Sequence, residues 1–165
     1  MANKGINKIL QIVSGFLILG IISLLFSSCD KNRVFEANVE IPDQTWNMDK
    51  AVVFSPSIDD TLSIQSVFVN VRNTSSYPYN NLYLFITTTS PSGQWILDTL
   101  DLQLADKRGK WLGSGLGDIF FNRRIFKQRI RFPMEGAYTF EIRQGMRSED
   151  LKGIRDVGLR IEKSE

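Results

Sequence analysis

Thr61-Leu-Ser-Ile-Gln-Ser-Val-Phe-Val-Asn-Val-Arg-Asn73 decides the fold class. Apolar and polar side chains alternate along it with a period of two, where a helix would repeat every 3.6 residues. Leu62 and Ile64 fall on one face, whereas Val67, Val69 and Val71 fall on the other. That slip in phase predicts a β-bulge near Gln65 and Ser66.

The same period continues outward in both directions. Residues 34–41 mix Val, Phe and Ile with polar neighbours and stop at Pro42, and 51–54 form a short apolar run after Trp46. Beyond a turn region at 73–81, Leu82, Leu84 and Ile86 share one face of the next strand. Ser90-Pro91-Ser92-Gly93 then predicts a tight turn, because Pro pre-sets the first central residue and Gly admits positive φ. The partner strand of that hairpin covers 94–104. A glycine-rich loop at 106–118 follows, and then a strand at 125–132 in which Phe126, Ile130 and Phe132 alternate with Lys127, Arg129 and Arg131. Tyr138, Phe140 and Ile142 define another strand, residues 145–151 suit one helical turn, and Val157, Leu159 and Ile161 define the last strand. About eight short strands without a long amphipathic helix predict an all-β antiparallel sandwich, immunoglobulin-like or jelly-roll-like. Parallel strands would need crossover helices, and there are none to provide them. Pro133-Met-Glu-Gly-Ala-Tyr138 resembles the tyrosine corner of immunoglobulin-like domains, in which the hydroxyl folds back onto the backbone.

The N-terminus reads differently. Lys4 and Lys8 precede an apolar run at 9–26, and Phe26-Ser-Ser-Cys29 is followed at once by Asp30-Lys-Asn32. A basic segment, an apolar segment and small residues before a cysteine are the pattern of a cleaved export signal. Cys29 is the only cysteine in the chain and sits at the junction, where a thiol would accept a diacylglycerol. The expected organisation is a lipoprotein signal peptide at 1–28, a lipidated Cys29 with a short tether at 29–33, and one domain at 34–165. An uncleaved transmembrane helix and an ordinary secretory signal are the competing readings. Phe26 departs from the leucine usual at its position. Two acyl chains anchor stably where one does not, so the protein is expected to be held in the cell envelope, periplasm-facing or at the outer membrane.

Composition excludes several chemistries. There are 20 Lys and Arg against 18 Asp and Glu, and Lys4 and Lys8 account for the excess, so the mature chain is balanced. No nucleic-acid footprint follows from such a balance. The chain has no histidine, which removes Ser-His-Asp and Cys-His catalysis and His-based zinc sites. No catalytic residue, cofactor or metal is expected. Paired carboxylates at Asp59-Asp60, Asp98/Asp101 and Glu149-Asp150 are the remaining route to glycan hydrolysis, against a plainer role as turn and surface acids. Gly113-Ser-Gly-Leu-Gly117 lacks the Lys-Ser/Thr and the helix of a phosphate loop. With Trp111 beside it, the loop packs on the domain or on a partner. Arg124, Lys127, Arg129 and Arg131, with Trp111, Gly115 and Gly117, form the candidate partner surface. The row Lys127, Arg129, Arg131 is expected on the solvent face of one strand, where like charges either block edge pairing or meet an anionic partner. Trp46, Trp95 and Trp111, with Tyr77, Tyr79 and Tyr83, leave open a carbohydrate-binding platform as the alternative.

Several stretches together resemble the gliding-motility lipoproteins of the GldH family of the Bacteroidetes. They are the Phe26 to Cys29 junction, Gly115-Leu-Gly-Asp-Ile119, the Arg-rich strand into Pro133-Met-Glu-Gly-Ala-Tyr138, and Gly153-Ile-Arg-Asp-Val-Gly-Leu-Arg-Ile-Glu-Lys163. The resemblance implies a non-enzymatic envelope component linked to the motility and secretion machinery; docking on other envelope proteins of that apparatus is the expected mode of action. It implies no known binding site.

Overall fold

The computed structural model describes residues 30–164. The segment 1–28, expected to be a signal peptide, and Cys29 lie outside them. Strands make up more than half of the described chain, and its only helical element is a three-residue 3-10 turn at Pro42–Gln44. In chain order the strands are β1 (Arg33–Glu40), β2 (Thr45–Asn47), β3 (Val52–Phe54), β4 (Ser57–Ile58), β5 (Gln65–Thr74), β6 (Asn81–Thr89), β7 (Trp95–Gln103), β8 (Ile119–Ile130), β9 (Gly136–Ala137), β10 (Thr139–Gln144), β11 (Asp150–Lys152) and β12 (Ile154–Lys163).

Eight of these build two four-stranded antiparallel sheets, ordered β1-β12-β5-β8 and β3-β10-β6-β7. Two small two-stranded sheets, β11-β2 and β4-β9, complete the set. The all-β antiparallel sandwich read from the sequence is therefore the observed architecture. Alternation explains the core. Val67, Val69 and Val71 from β5 and Val157, Leu159 and Ile161 from β12 meet Leu82, Leu84 and Ile86 from β6 and Phe140 and Ile142 from β10, all buried in one cluster. Burying each such side chain contributes about 1.5–3 kcal/mol. Trp46 joins the cluster and keeps its indole N–H satisfied by donating to the Lys50 carbonyl at 2.8 Å.

Several local expectations hold. Gly93 takes φ +84° and its N–H donates to the Ser90 carbonyl at 2.9 Å, closing the β6–β7 hairpin. Tyr138 makes the anticipated corner: its hydroxyl accepts from the Met134 N–H at 3.3 Å, and its ring meets Phe132 edge-on at 4.8 Å.

Three expectations are corrected. First, the phase slip at Gln65 and Ser66 is not a bulge in β5. Strand β5 begins at Gln65, and Leu62 stands 84% exposed in the bend before it. The bulges belong to the partner strand β8. Val67 lies opposite Lys127 but the next residue, Phe68, lies opposite Ile125, and Gln65 lies opposite Ile130. One extra β8 residue is accommodated at Phe126 and another between Lys127 and Ile130, where Arg129 takes φ 52°. Second, those bulges break the solvent row of Lys127, Arg129 and Arg131, because each inserted residue flips the faces that follow. Third, residues 145–151 form no helical turn. The Gln144 side chain donates to the Ser148 carbonyl at 2.7 Å and accepts from the Met146 N–H at 2.8 Å, holding a bend that delivers Asp150–Lys152 to pair with β2.

Candidate functional site

Strands β7 and β8 are the edges of their respective sheets, and their inward faces meet along an open seam. Opposed residues of an antiparallel pair share a face. Arg124 lies opposite Val69 and Lys127 opposite Val67, so both long cations point toward the buried side of the sheet at its rim. Lys127 is half-buried and donates to Asp98 Oδ1 of β7 at 2.8 Å, bridging the two sheets. Its ammonium also lies 5.0 Å from the Phe126 ring centre. Asp98 Oδ2 and Thr88 Oγ1 are buried without a hydrogen-bond partner. At one end the seam opens into a cleft of about 800 Å³ lined by residues including Trp95, Ile96, Ile130, Arg131 and Phe132. Toward the other end lies a cleft of about 470 Å³, where Arg124 meets Leu102, Leu112, Gly113, Ser114 and Phe121.

The sequence-predicted surface is thereby divided. Arg124 is exposed, its guanidinium without a hydrogen bond or ion pair among the described residues, and shares its cleft with the glycine loop. Lys127 is used internally. The Arg129 N–H donates to Ser66 Oγ at 3.2 Å, and Arg131, in the wall of the larger cleft, donates from Nε to the Leu62 carbonyl at 3.0 Å.

The loop is held by backbone geometry. Ser114 and Phe121 exchange hydrogen bonds of 3.0 and 2.6 Å. A Cβ at Gly115 would run into the Ile119 carbonyl, so only glycine lets the backbone pass. Gly117 turns the chain with φ +72° and has open space around it. Trp111 is half-buried, stacked on Phe120 with centroids 5.3 Å apart and leaning on Tyr77 at 6.5 Å. Tyr77 is buried, with its hydroxyl on the Asn81 carbonyl at 2.8 Å, and burial raises its phenol above the ordinary range, helped by Tyr79. The loop thus packs on its own domain through Trp111 while Leu112 and Leu116 stay exposed, at 56% and 94%.

The other constellations separate. Asp98 faces the seam opposite Ile86, whereas Asp101 faces outward opposite Tyr83 and accepts from Asn81. Asp60 caps the bend before β5, taking hydrogen bonds from Leu62 and Ser63, and pairs with Lys163 at 2.8 Å. The Lys163 ammonium, then the Ser63 and Leu62 donors, hold its carboxyl well below the ordinary range. Asp150 accepts from Asn47 at 2.8 Å. Among the described residues no group of three or more His, Cys, Asp or Glu side chains could hold a metal ion. The aromatics are dispersed: Trp46 is in the core, Trp111 in the loop cluster, and Trp95, 67% exposed, at the β6–β7 hairpin.

Sequence reasoning missed one polar assembly. On the outer face of the first sheet Glu36 accepts from Arg160 at 2.7 Å and from Arg123 at 3.2 Å, and Arg160 also reaches Glu162 at 2.7 Å. Arg160 is only 6% exposed. The alternation that marks Leu159 and Ile161 as core also puts Arg160 on this outer face. Its burial comes from neighbours on β1 and β8, which no local pattern announces.

Fold and site define a class: a small β-sandwich with an open seam between two edge strands and a glycine loop braced against one of them. A family model described as GldH lipoprotein matches residues 33–161. The gliding motility lipoprotein GldH of Flavobacterium johnsoniae is 38% identical over 159 residues, covering 92% of this chain and 97% of that one. A GldH homolog of Christiangramia forsetii is 38% identical over 149 residues, covering 86% and 91%. The chain belongs to the GldH lipoprotein family. A solved carbohydrate-binding module from a Ruminococcus flavefaciens glycoside hydrolase aligns at TM-score 0.42 and 13% identity, over 77% of this chain and 98% of that chain, a likeness too distant to carry an argument about function.

Proposed function

We propose that the protein is an envelope lipoprotein, anchored through acylated Cys29, that acts without catalysis by docking on other proteins of the gliding-motility and secretion apparatus. Arg124 carries this reading. It is an exposed, unpartnered guanidinium on an edge strand, beside the exposed Leu112 of a loop that backbone contacts hold in place. A planar guanidinium with free donors suits a carboxylate, and an open strand edge suits an added strand. The partner chemistry that fits is an acidic, partly apolar segment of a neighbouring envelope protein. Family membership and the Phe26 to Cys29 junction support the anchor.

The test is affinity capture of the tagged lipoprotein from its own envelope, with Arg124→Glu and Leu116→Ser compared with the unaltered chain. A specific envelope protein lost in both variants supports the docking surface. A partner retained at full yield by both variants overturns it. Cys29→Ser is expected to release the protein from membranes while leaving the domain folded. Retention in the membrane fraction by that variant would refute the anchor.

A further inference from the structure

The register places one pole of the sandwich beside the point where the chain leaves toward Cys29. The Asn32 carbonyl accepts from Lys163 N–H at 2.8 Å, and Ser164 N–H donates to the Ile64 carbonyl at 2.8 Å. Arg33 lies opposite Glu162, Glu162 opposite Ser66, and Gln65 opposite Ile130. The starts of β1 and β5 and the ends of β12 and β8 therefore share this pole. Arg131 joins it through the Leu62 carbonyl, and the larger cleft carries it across from Ile130 and Arg131 to Trp95 and Ile96.

Large apolar side chains stand in solvent here: Leu62 at 84%, Trp95 at 67% and Ile96 at 64%, with Met134, 38% exposed, in the short segment between Pro133 of the cleft wall and Gly136, which lies against Pro91 of the β6–β7 hairpin. Scattered singly, such residues need no explanation. Gathered at one pole, with a tryptophan and an arginine among them, they match the composition that favours the boundary between headgroups and acyl chains.

Chain length supplies the second argument. Three residue steps separate Cys29 from Asn32, and they span at most about 11 Å even when fully extended. An acylated Cys29 sits at the bilayer surface, so the pole that contains Asn32 is confined to its vicinity. The opposite pole lies about 25 Å away along the eight residues of β1.

We infer that this pole is a membrane-seating surface: Leu62, Trp95, Ile96 and Met134 enter the interfacial layer of the bilayer that holds Cys29, and Arg131 faces lipid phosphates. The inference rests on the anchored-lipoprotein reading above. It orients the molecule, turning the Gly113–Gly117 loop at the far pole away from the membrane and toward protein partners.

The experiment uses the full lipidated protein in phosphatidylethanolamine/phosphatidylglycerol vesicles, with and without brominated acyl chains, reading flotation and tryptophan emission together. The expected result is flotation with loss of roughly a third of the emission in brominated vesicles, one indole of three lying at the interface. Trp95→Phe should abolish that loss and Trp111→Phe should leave it. Leu62→Asp, at an exposed position, should reduce the quenching of Trp95 with the fold intact. Flotation without quenching, or with quenching that Trp95→Phe does not change, overturns the seating surface. Failure to float overturns the anchor itself, and the seating surface with it.

Discussion

Lys127→Met isolates what holds the two sheets together at their open side. The substitution keeps the length and apolar stem of Lys127 but removes the ammonium that donates to Asp98 at 2.8 Å. Asp98 Oδ2 already has no partner, so the carboxylate would be left without either contact in an apolar seam. Removing one member of a fully buried pair costs about 3–5 kcal/mol, whereas exposed pairs contribute about 0–1 kcal/mol. The Lys127 side chain keeps 37% and Asp98 28% of its surface in solvent, and screening at that exposure brings the expected cost to about 1–2 kcal/mol. That is a fall of roughly 3–8 °C in the unfolding midpoint for a domain of this size. Asp98→Leu should cost less, under about 1 kcal/mol, because the Lys127 ammonium can extend to water along its flexible stem. The double variant should return to within about 0.5 kcal/mol of the unaltered protein, since apolar groups replace both charges in an apolar cleft. Urea unfolding of the mature chain carrying Cys29→Ser, at pH 7, measures all four corners of the cycle. A Lys127→Met protein as stable as its parent, or a double variant no better than Lys127→Met, would refute this account of the seam.

Two further outcomes follow from local geometry. Gly115→Ala sets a Cβ against the Ile119 carbonyl and should cost about 1–3 kcal/mol. Faster hydrogen exchange at the Phe121 amide, which bonds to Ser114, would report the loosened loop. For Asp60, the folded carboxyl is held below its ordinary value of 3.8 by Lys163 first and then by Ser63 and Leu62. A lowered folded pKa gives stability that is present above the unfolded value, near about 4, and is lost as pH falls below it. Asp60→Asn should therefore lower the melting temperature by a constant amount between pH 5 and 7, and the gap should close progressively below pH of about 4. A gap that persists unchanged to pH of about 2 would show that Asp60 acts through shape and not charge.

Backbone periodicity was legible because it is local. Each strand has one face toward a shared core, so Val67, Val69 and Val71, or Leu82, Leu84 and Ile86, announce themselves within a few residues. The same holds for Ser90 to Gly93 and for Tyr138, whose conformations are set by side chains close in sequence. The lone cysteine at the end of an apolar run, and the absence of histidine, are also properties of the chain as written. Other features depend on residues far apart. The bulges in β8 arise from matching twelve residues to a shorter partner strand, and nothing in 125–132 alone reveals where the extra residues go. They turn Lys127 inward to Asp98, 29 positions away, and so divide a basic run that reads as continuous. The burial of Arg160 needs Glu36, 124 positions away. The sequence by itself determined the class of fold and the residues of its core, because hydrophobic burial acts on every second side chain. Only the tertiary structure decided which charges are spent inside the molecule and which remain for a partner, because pairing between distant strands sets where each side chain points.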